Sequence, residues 1–243
     1  MDNSITVILN GYRRPNYLEE QYNSIINQTI QPHNIFIWQN FHTDTYNQFP
    51  QPVINNCISA ICNQNLGVWS RFAYALNSRT KYVCIFDDDT IPGSKWLENC
   101  LDTMQTHRGL LGARGVIFEK SNSYHHTHGV GWETKNEEPV QVDIVGHSWF
   151  FEREWLSAYW YEMPPSEFFY AGEDMHFSYA IQKHYGLNTY VPPHPKNNKE
   201  MWGSLKAIEY GDGAEATCKF AIPDMYKYLN YIVSKGFKVI NQV

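Results

Sequence analysis

Apolar positions along the first third of the chain follow two alternating periods. Ile5, Val7, Ile8 and Leu9 run nearly unbroken into Asn10, the composition of a strand covered on both faces. Pro15 suits a first helical position, and Leu18, Tyr22, Ile25 and Ile26 then recur at helical spacing until the pattern fades near Gln31 and Pro32. Ile35 to Gln39 predicts a second strand. A loop rich in Asn, Gln and Pro follows, and a third, irregular strand is expected within 53–61. Gly67 precedes a helix with Trp69, Phe72, Ala73 and Leu76 on one side, and Tyr82 to Phe86 is an apolar strand. Strand and helix alternating with short connections predict a parallel α/β half.

The later pattern is more mixed. Ser94 is a candidate cap for a helix carrying Trp96, Leu97, Cys100, Leu101 and Met104. "LLGARGVIF" predicts a glycine-punctuated strand, and "EKSNSYHHTHGVGWETKNEEP" a long hairpin or loop. "VQVDIVG" alternates as a strand, "REWLSAYWY" reads as helix, and "EDMHFSYAIQKHYG" as a helix closed by Gly186. "LNTYVPPHPKNNK" leaves a strand for a loop. Pro223 is expected to start a last helix bearing Met225, Tyr228, Leu229 and Ile232 and ended by Gly236. No repeat or linker interrupts the chain, so a single domain over 1–243 is expected.

Composition narrows the classes. At 243 residues, 43% hydrophobic and 18% charged, the chain can bury a sizeable core. A net charge of −6 without any Lys/Arg block argues against nucleic acid or an anionic membrane as partner. No apolar run reaches a transmembrane length, and "MDNSITVILNGYRR" lacks a basic start and a long apolar stretch. A soluble, cytoplasmic protein is expected. Five cysteines without a C-x-x-C suit buried thiols in a reducing compartment, Cys84 in mid-strand and Cys100 on an apolar helical face. The aromatic content of 16% fits a packed core and also a crevice that stacks sugar faces.

"YVCIFDDDTIPG" carries the chemistry. A buried strand runs straight into Asp87, Asp88 and Asp89. Neighbouring carboxylates repel by roughly 1–4 kcal/mol per close pair. A solvated turn accounts for such a run, and so does a bound cation. Strand alternation puts Asp87 and Asp89 on one face and turns Asp88 away, which suits a hard divalent ion. Asn10, Asn40 and the three aspartates all fall at strand carboxyl ends, where α/β sheets bind ligands. Their placement favours the cation.

The ordered set "ITVILNGYRRPNYLEEQYNSIINQT", "IFIWQN", "NLGVWSRFAYAL", "YVCIFDDDTIPG", "VGHSWFF" and "YAGEDMHFSYAIQKHYG" resembles the GT-A class of nucleotide-sugar glycosyltransferases. It is most similar to the family-2-like inverting enzymes, including small soluble ones of large algal viruses. The resemblance implies a Rossmann-like GT-A single domain, with a mainly parallel central sheet flanked by helices and a smaller mixed β region in the second half. Residues 1–93 would form the nucleotide-sugar-binding half, and 94–243 the acceptor-binding and catalytic half. The implied reaction is metal-dependent transfer of a sugar from a nucleotide diphosphate sugar, UDP favoured, to a hydroxyl of a glycan, with Mn²⁺ or Mg²⁺ as cofactor.

Carried over residue by residue, Asp89 is the metal ligand with His194 as a further contact, Asp87 faces the ribose and Asp88 the donor sugar. Asn10, Tyr12, Arg13, Asn40, Asn65 and Arg71 frame the nucleotide. Asp174 is the general base, and Glu173 holds the acceptor or the helix start. His147, Trp149 and His176 fall on the acceptor side, and Trp160 is a second candidate to stack on a sugar. The chain departs from the family at Asn40, where an aspartate reads uracil, and at His176, where another acid is usual. His125, His126 and His128 lack the helical spacing of a zinc site and read as an acceptor-side loop or plain surface. Two other readings stand beside this one: a sugar- or nucleotide-binding module without turnover, and a D-x-D phosphohydrolase.

Overall fold

The computed structural model describes residues 2–120, 123–132, 134–168, 170–206, 209–210 and 218–241, with the side chains of 123–128 and 218–222 left out. His125, His126, His128 and the Cys218 thiol therefore lie outside the described side chains. Four strands form a parallel half: β1 (Ile5–Gly11), β2 (Asn34–Gln39), β3 (Ile58–Ile61) and β4 (Tyr82–Phe86). Between them run α1 (Leu18–Ile26), α2 (Gln51–Asn55) and α3 (Ser70–Ala75). The second half adds α4 (Trp96–Thr106), β5 (Gly109–Leu111), β6 (Arg114–Lys120), β7 (Ser123–Gly131), β8 (Val140–Val142), β9 (Ile144–Gly146), β10 (Ser148–Glu152), α5 (Leu156–Tyr161), α6 (Glu173–Tyr185), β11 (Asn188–Val191) and α7 (Cys218–Ser234).

One sheet has the order β3-β2-β1-β4-β10-β5-β11-β8, and β7-β6-β9 form a second, three-stranded sheet. Within the large sheet β10 and β8 run against the others. The expected α/β domain with a mainly parallel sheet and a smaller β region is what forms. β1 and β4 are buried on both faces apart from Asn10, as unbroken apolar runs require. Trp96, Trp149, Trp155, Tyr159, Phe72 and Phe150 are among the largest fully enclosed side chains, so most of the aromatic surplus is core. Cys84 and Cys100 are buried in it. No helix among the described residues is long and apolar enough to cross a membrane.

Several local expectations are corrected. Val53 lies in α2, and only Ile58–Ile61 of the 53–61 segment is strand. In the short α3, Phe72 and Ala75 turn inward with Arg71, while Leu76 is exposed. Ser94 caps nothing, because α4 starts after Lys95 without a side-chain cap. Pro223 lies inside α7 instead of opening it.

"LLGARGVIF" is two strands in two sheets. A Cβ at Gly112 would lie 2.4 Å from Val145 Cβ and 2.6 Å from Ser148 O, so the chain crosses between sheets where no side chain fits. "VQVDIVG" splits likewise at Asp143. The buried Asp143 carboxylate accepts the N–H of Phe118 and that of Ile240, both at 2.7 Å. It thereby pins β6 and the C-terminal segment to the point where the chain changes sheets. Burial pushes its pKa up against the pull of those two bonds.

Asp143→Ala removes the acceptor of the buried Phe118 N–H and of the more exposed Ile240 N–H. A loss of about 1–3 kcal/mol is expected in urea melts, with the denaturant slope unchanged.

Candidate active site

The strand order fixes where a crevice opens. β1 pairs β2 on one side and β4 on the other, so the connections leaving β1 and β3 diverge at the strands' carboxyl ends. Leu9 is level with Phe86, which brings Asn10 and Gly11 beside Asp87. β10 runs antiparallel to β4, with Ser148 opposite Phe86, so its amino end reaches the same edge. There the Asp87 N–H donates to the His147 carbonyl at 2.9 Å.

The three aspartates fall past the end of β4, in a turn that the Thr90 N–H closes onto the Asp87 carbonyl at 3.2 Å, and this turn, not strand alternation, divides them. Asp87, Asp89 and His147 each present a ligand atom, all within 4.8 Å of one another. His147 Nδ1 stands 3.5 Å from Asp89 Oδ1. Asp88 turns to Arg14, whose Nη1 is 2.6 Å from Asp88 Oδ1 and 3.3 Å from Asp89 Oδ2. The Arg13 N–H adds a 3.3 Å bond to Asp88 Oδ2. Gln21 of α1 fastens the turn, donating to the carbonyls of Asp87 (2.7 Å) and Thr90 (2.8 Å). Burial pushes Asp88 up to about 6 even with Arg14 beside it. Burial acts the same way on Asp89, but His147 and Arg14 overcome it and hold that carboxyl below its ordinary value.

A second acidic pair opens α6. Gly172 precedes it at φ 95°, and a Cβ there would lie 2.7 Å from the Tyr228 ring. Asp174 Oδ1 accepts the Met175 N–H at 2.7 Å. Glu173 Oε1 takes Arg71 Nη2 at 2.7 Å, and the other arm of Arg71 is paired with Asp87. Arg71 is only 4% exposed, its guanidinium carbon 4.5 Å from the Trp149 ring centre. One cation thus joins the strand-end aspartates to the helix-start acids. Burial pushes the Glu173 carboxyl up, with Arg71 opposing and Asp174 adding to the rise. Burial likewise lifts Asp174 to about 6, against the Met175 N–H and Arg71.

Tyr12 and Asn65 meet beside this edge, Asn65 Nδ2 donating to the Tyr12 hydroxyl at 3.0 Å. Asn10 is half-buried at the end of β1. Asn40 supports the loop instead of offering a free edge to a base. Its Oδ1 accepts from Leu66 and Phe41 N–H at 2.9 and 3.1 Å, and its Nδ2 donates to Asn65 at 2.8 Å.

His194 is corrected as a metal contact. It is wholly buried against Trp96, with Nδ1 2.8 Å from the Pro192 carbonyl and Nε2 3.0 Å from the Gly203 N–H. Nδ1 must donate and Nε2 must accept, so neither lone pair is left for an ion. His176 is also enclosed, between the Tyr228 hydroxyl at 2.6 Å and the Tyr159 carbonyl at 2.7 Å, and cannot face an acceptor. Trp149 is 2% exposed and packs under Arg71. Trp160 packs edge-on against Tyr159. Sequence reasoning missed Arg14, Gln21 and the pairing of His147 with the aspartates. The adjacent arginines of "YRRP" were the one available signal, and which of them turns to Asp88 depends on the loop.

The model of the family described as "Glycosyl transferase family 2" matches residues 6–163, and the chain belongs to that family. No curated protein matches significantly. Among solved structures, S. aureus TarS matches with a TM-score of 0.57 at 15% identity, over 79% of this chain and 35% of that chain. TarS 1-349 in complex with UDP matches at TM-score 0.55 and 15% identity, over 79% and 58% of the two chains. TarS 1-349 in complex with UDP-GlcNAc matches at 0.56 and 13%, over 98% and 68%. The chain thus spans about a third of the TarS chain and about two-thirds of its shortened form. At these identities the likeness establishes a shared fold.

His176 and His194 generate a pH prediction. Burial lowers each from 6.5 to about 4, so between those values the unfolded chain takes up protons that the folded one refuses. Stability from this source is complete above pH 6.5 and falls as the pH drops toward 4, by roughly 3 kcal/mol for each histidine. Urea melts at pH 7.5 and 4.5 should show a smaller acid loss in His176→Asn than in the wild type.

Proposed function

We propose that the chain transfers a sugar from a nucleoside diphosphate sugar, UDP favoured, to a hydroxyl of a glycan or similar acceptor, with inversion at the anomeric carbon. The observation that carries the reading is the convergence of two carboxylate sets, Asp87–Asp89 at a strand end and Glu173–Asp174 at a helix start, on opposite arms of Arg71. A carboxylate and imidazole set at a sheet's switch point suits a donor diphosphate, and a separate buried carboxylate suits work on the acceptor.

Asp87, Asp89 and His147 fit a divalent ion: two hard oxygens and one nitrogen meet within 4.8 Å in an otherwise acidic pocket. Asp87, Asp89 and His147 would hold Mn²⁺ or Mg²⁺, and the ion would supply positive charge against the donor diphosphate. Two loops, one after β1 with Tyr12 and the backbone of Arg13 and one before α3 with Asn65, flank the same edge and frame the nucleotide.

Of the acidic pair, Asp174 is the base. Glu173 is held by Arg71, whereas the Asp174 carboxylate meets backbone N–H groups at the start of its own helix and no described cation at ion-pair distance. A carboxylate raised to about 6 is ionised at neutral pH yet more basic than one on the surface. Asp174 takes the acceptor hydroxyl proton as that oxygen bonds to the anomeric carbon. The bond from that carbon to the phosphate oxygen breaks in the same displacement, and its electron pair leaves with the nucleoside diphosphate. Positive charge at the ring carbon in the transition state is eased by the surrounding acids.

In thermal-shift measurements, a UDP-linked sugar with Mn²⁺ should raise the melting temperature more than either alone, and Asp89→Ala should erase the metal-dependent part. Asp174→Asn should keep donor binding in calorimetry while kcat falls about 10²–10⁴-fold. Normal transfer by that variant would remove Asp174 from the mechanism.

A further inference from the structure

The three-stranded sheet stops twice at one level. Arg114 of β6 is the register partner of Gly131 in β7 on one side and of Gly146 in β9 on the other. Each glycine is followed by a residue in the left-handed region, Trp132 at φ 52° and His147 at φ 63°. Histidine visits that region more readily than most residues, whereas a bulky tryptophan there is a true outlier. Two strands running the same way therefore each pass into a left-handed residue, after a left-handed Gly131 (φ 72°) in β7 but not at Gly146, and the side chains of Trp132 and His147 meet. The Trp132 and His147 rings stand edge to face with centroids 3.7 Å apart. The Arg114 guanidinium carbon lies 4.5 Å from the Trp132 ring centre. Trp132 is 6% exposed, whereas the His147 side chain keeps 22% of its surface open toward the aspartates' edge.

Backbone strain of this kind persists where the surroundings over-determine it, and it gathers at functional sites. Here its product is the direction of one imidazole. His147 ends with Nδ1 toward Asp89 on one side and the indole against its ring on the other. We propose that Trp132 is a positioning residue for a divalent ion: it holds His147 as the third ligand beside Asp87 and Asp89, and the small sheet serves as the bracket that carries both. This rests on the reading of those three residues as a metal site. It adds a role for a residue 43 positions after Asp89 in sequence, about which the acidic motif says nothing.

The test uses the full chain and Mn²⁺ alone, without nucleotide, with free ion followed by electron paramagnetic resonance. Asp89→Ala should abolish binding and His147→Ala should weaken it. Trp132→Leu should weaken it about tenfold, the scale for losing a group that orients a ligand. Trp132→Phe, which keeps a flat ring, should restore most of the affinity. In a His147→Ala background, Trp132→Leu should cost nothing more, an outcome that a merely structural role would not give. Should the leucine variant not fold by circular dichroism, Trp132→Met carries the same expectation. Wild-type affinity in a folded Trp132 variant, with Asp89→Ala still abolishing binding, overturns the positioning role alone. Full binding by Asp89→Ala, or none by the wild type, overturns the metal site and this role together.

Discussion

A buried guanidinium shared between two acids governs this molecule. Arg71 is almost sealed from solvent, and its two arms pair with Asp87 and Glu173. Isolated charges at such depth cost several kcal/mol each, and removing one partner of a buried pair leaves the other uncompensated. The sheet end and the helix start are therefore fixed with respect to each other by charge as well as by packing. Arg14 does the same for Asp88 and Asp89. Two cations stand among five carboxyl groups, so the pocket keeps an excess of negative charge and its carboxyls divide in basicity, Asp89 lowered and Asp88, Glu173 and Asp174 raised.

The rest of the architecture delivers groups to that edge. A purely parallel sheet would bring only strand carboxyl ends. The antiparallel β10 adds the start of a strand, and with it His147. The small sheet adds a second arm through β7 and Trp132. α6 presents its amino end, where backbone N–H groups favour ionised Asp174 even as burial opposes it. Gly172 permits this because its backbone is left-handed and a side chain there would strike Tyr228.

Much of the fold was legible because burial on both faces leaves an unmistakable trace. Ile5–Leu9 and Tyr82–Phe86 are apolar throughout, and Asp87 to Asp89 stand out against them. "LLGARGVIF" and "VQVDIVG" misled for the same reason that they read as strand. Their periodicity survives while the chain changes sheets within them, at Gly112 and Asp143, and nothing in a local pattern marks a change of partner. Arg71 was identified as important from its place after "NLG", yet its partners come from positions 87 and 173. His194 and His176 looked available in sequence. Their ring nitrogens are occupied by backbone and tyrosine groups brought in by folding.

By itself the sequence determined the alternation of strands and helices, the acidic strand end and the acid pair opening a helix, because each is written in neighbouring residues whose hydrophobicity and charge act locally. Folding alone settles which arginine meets which aspartate, that His147 and not His194 joins Asp87 and Asp89, and that Glu173 is held by Arg71 while Asp174 accepts from the start of its own helix. Those choices depend on strand order, register and left-handed turns, which bring together residues far apart in the chain, and a carboxylate's partner and basicity are set by what lies within a few ångströms of it.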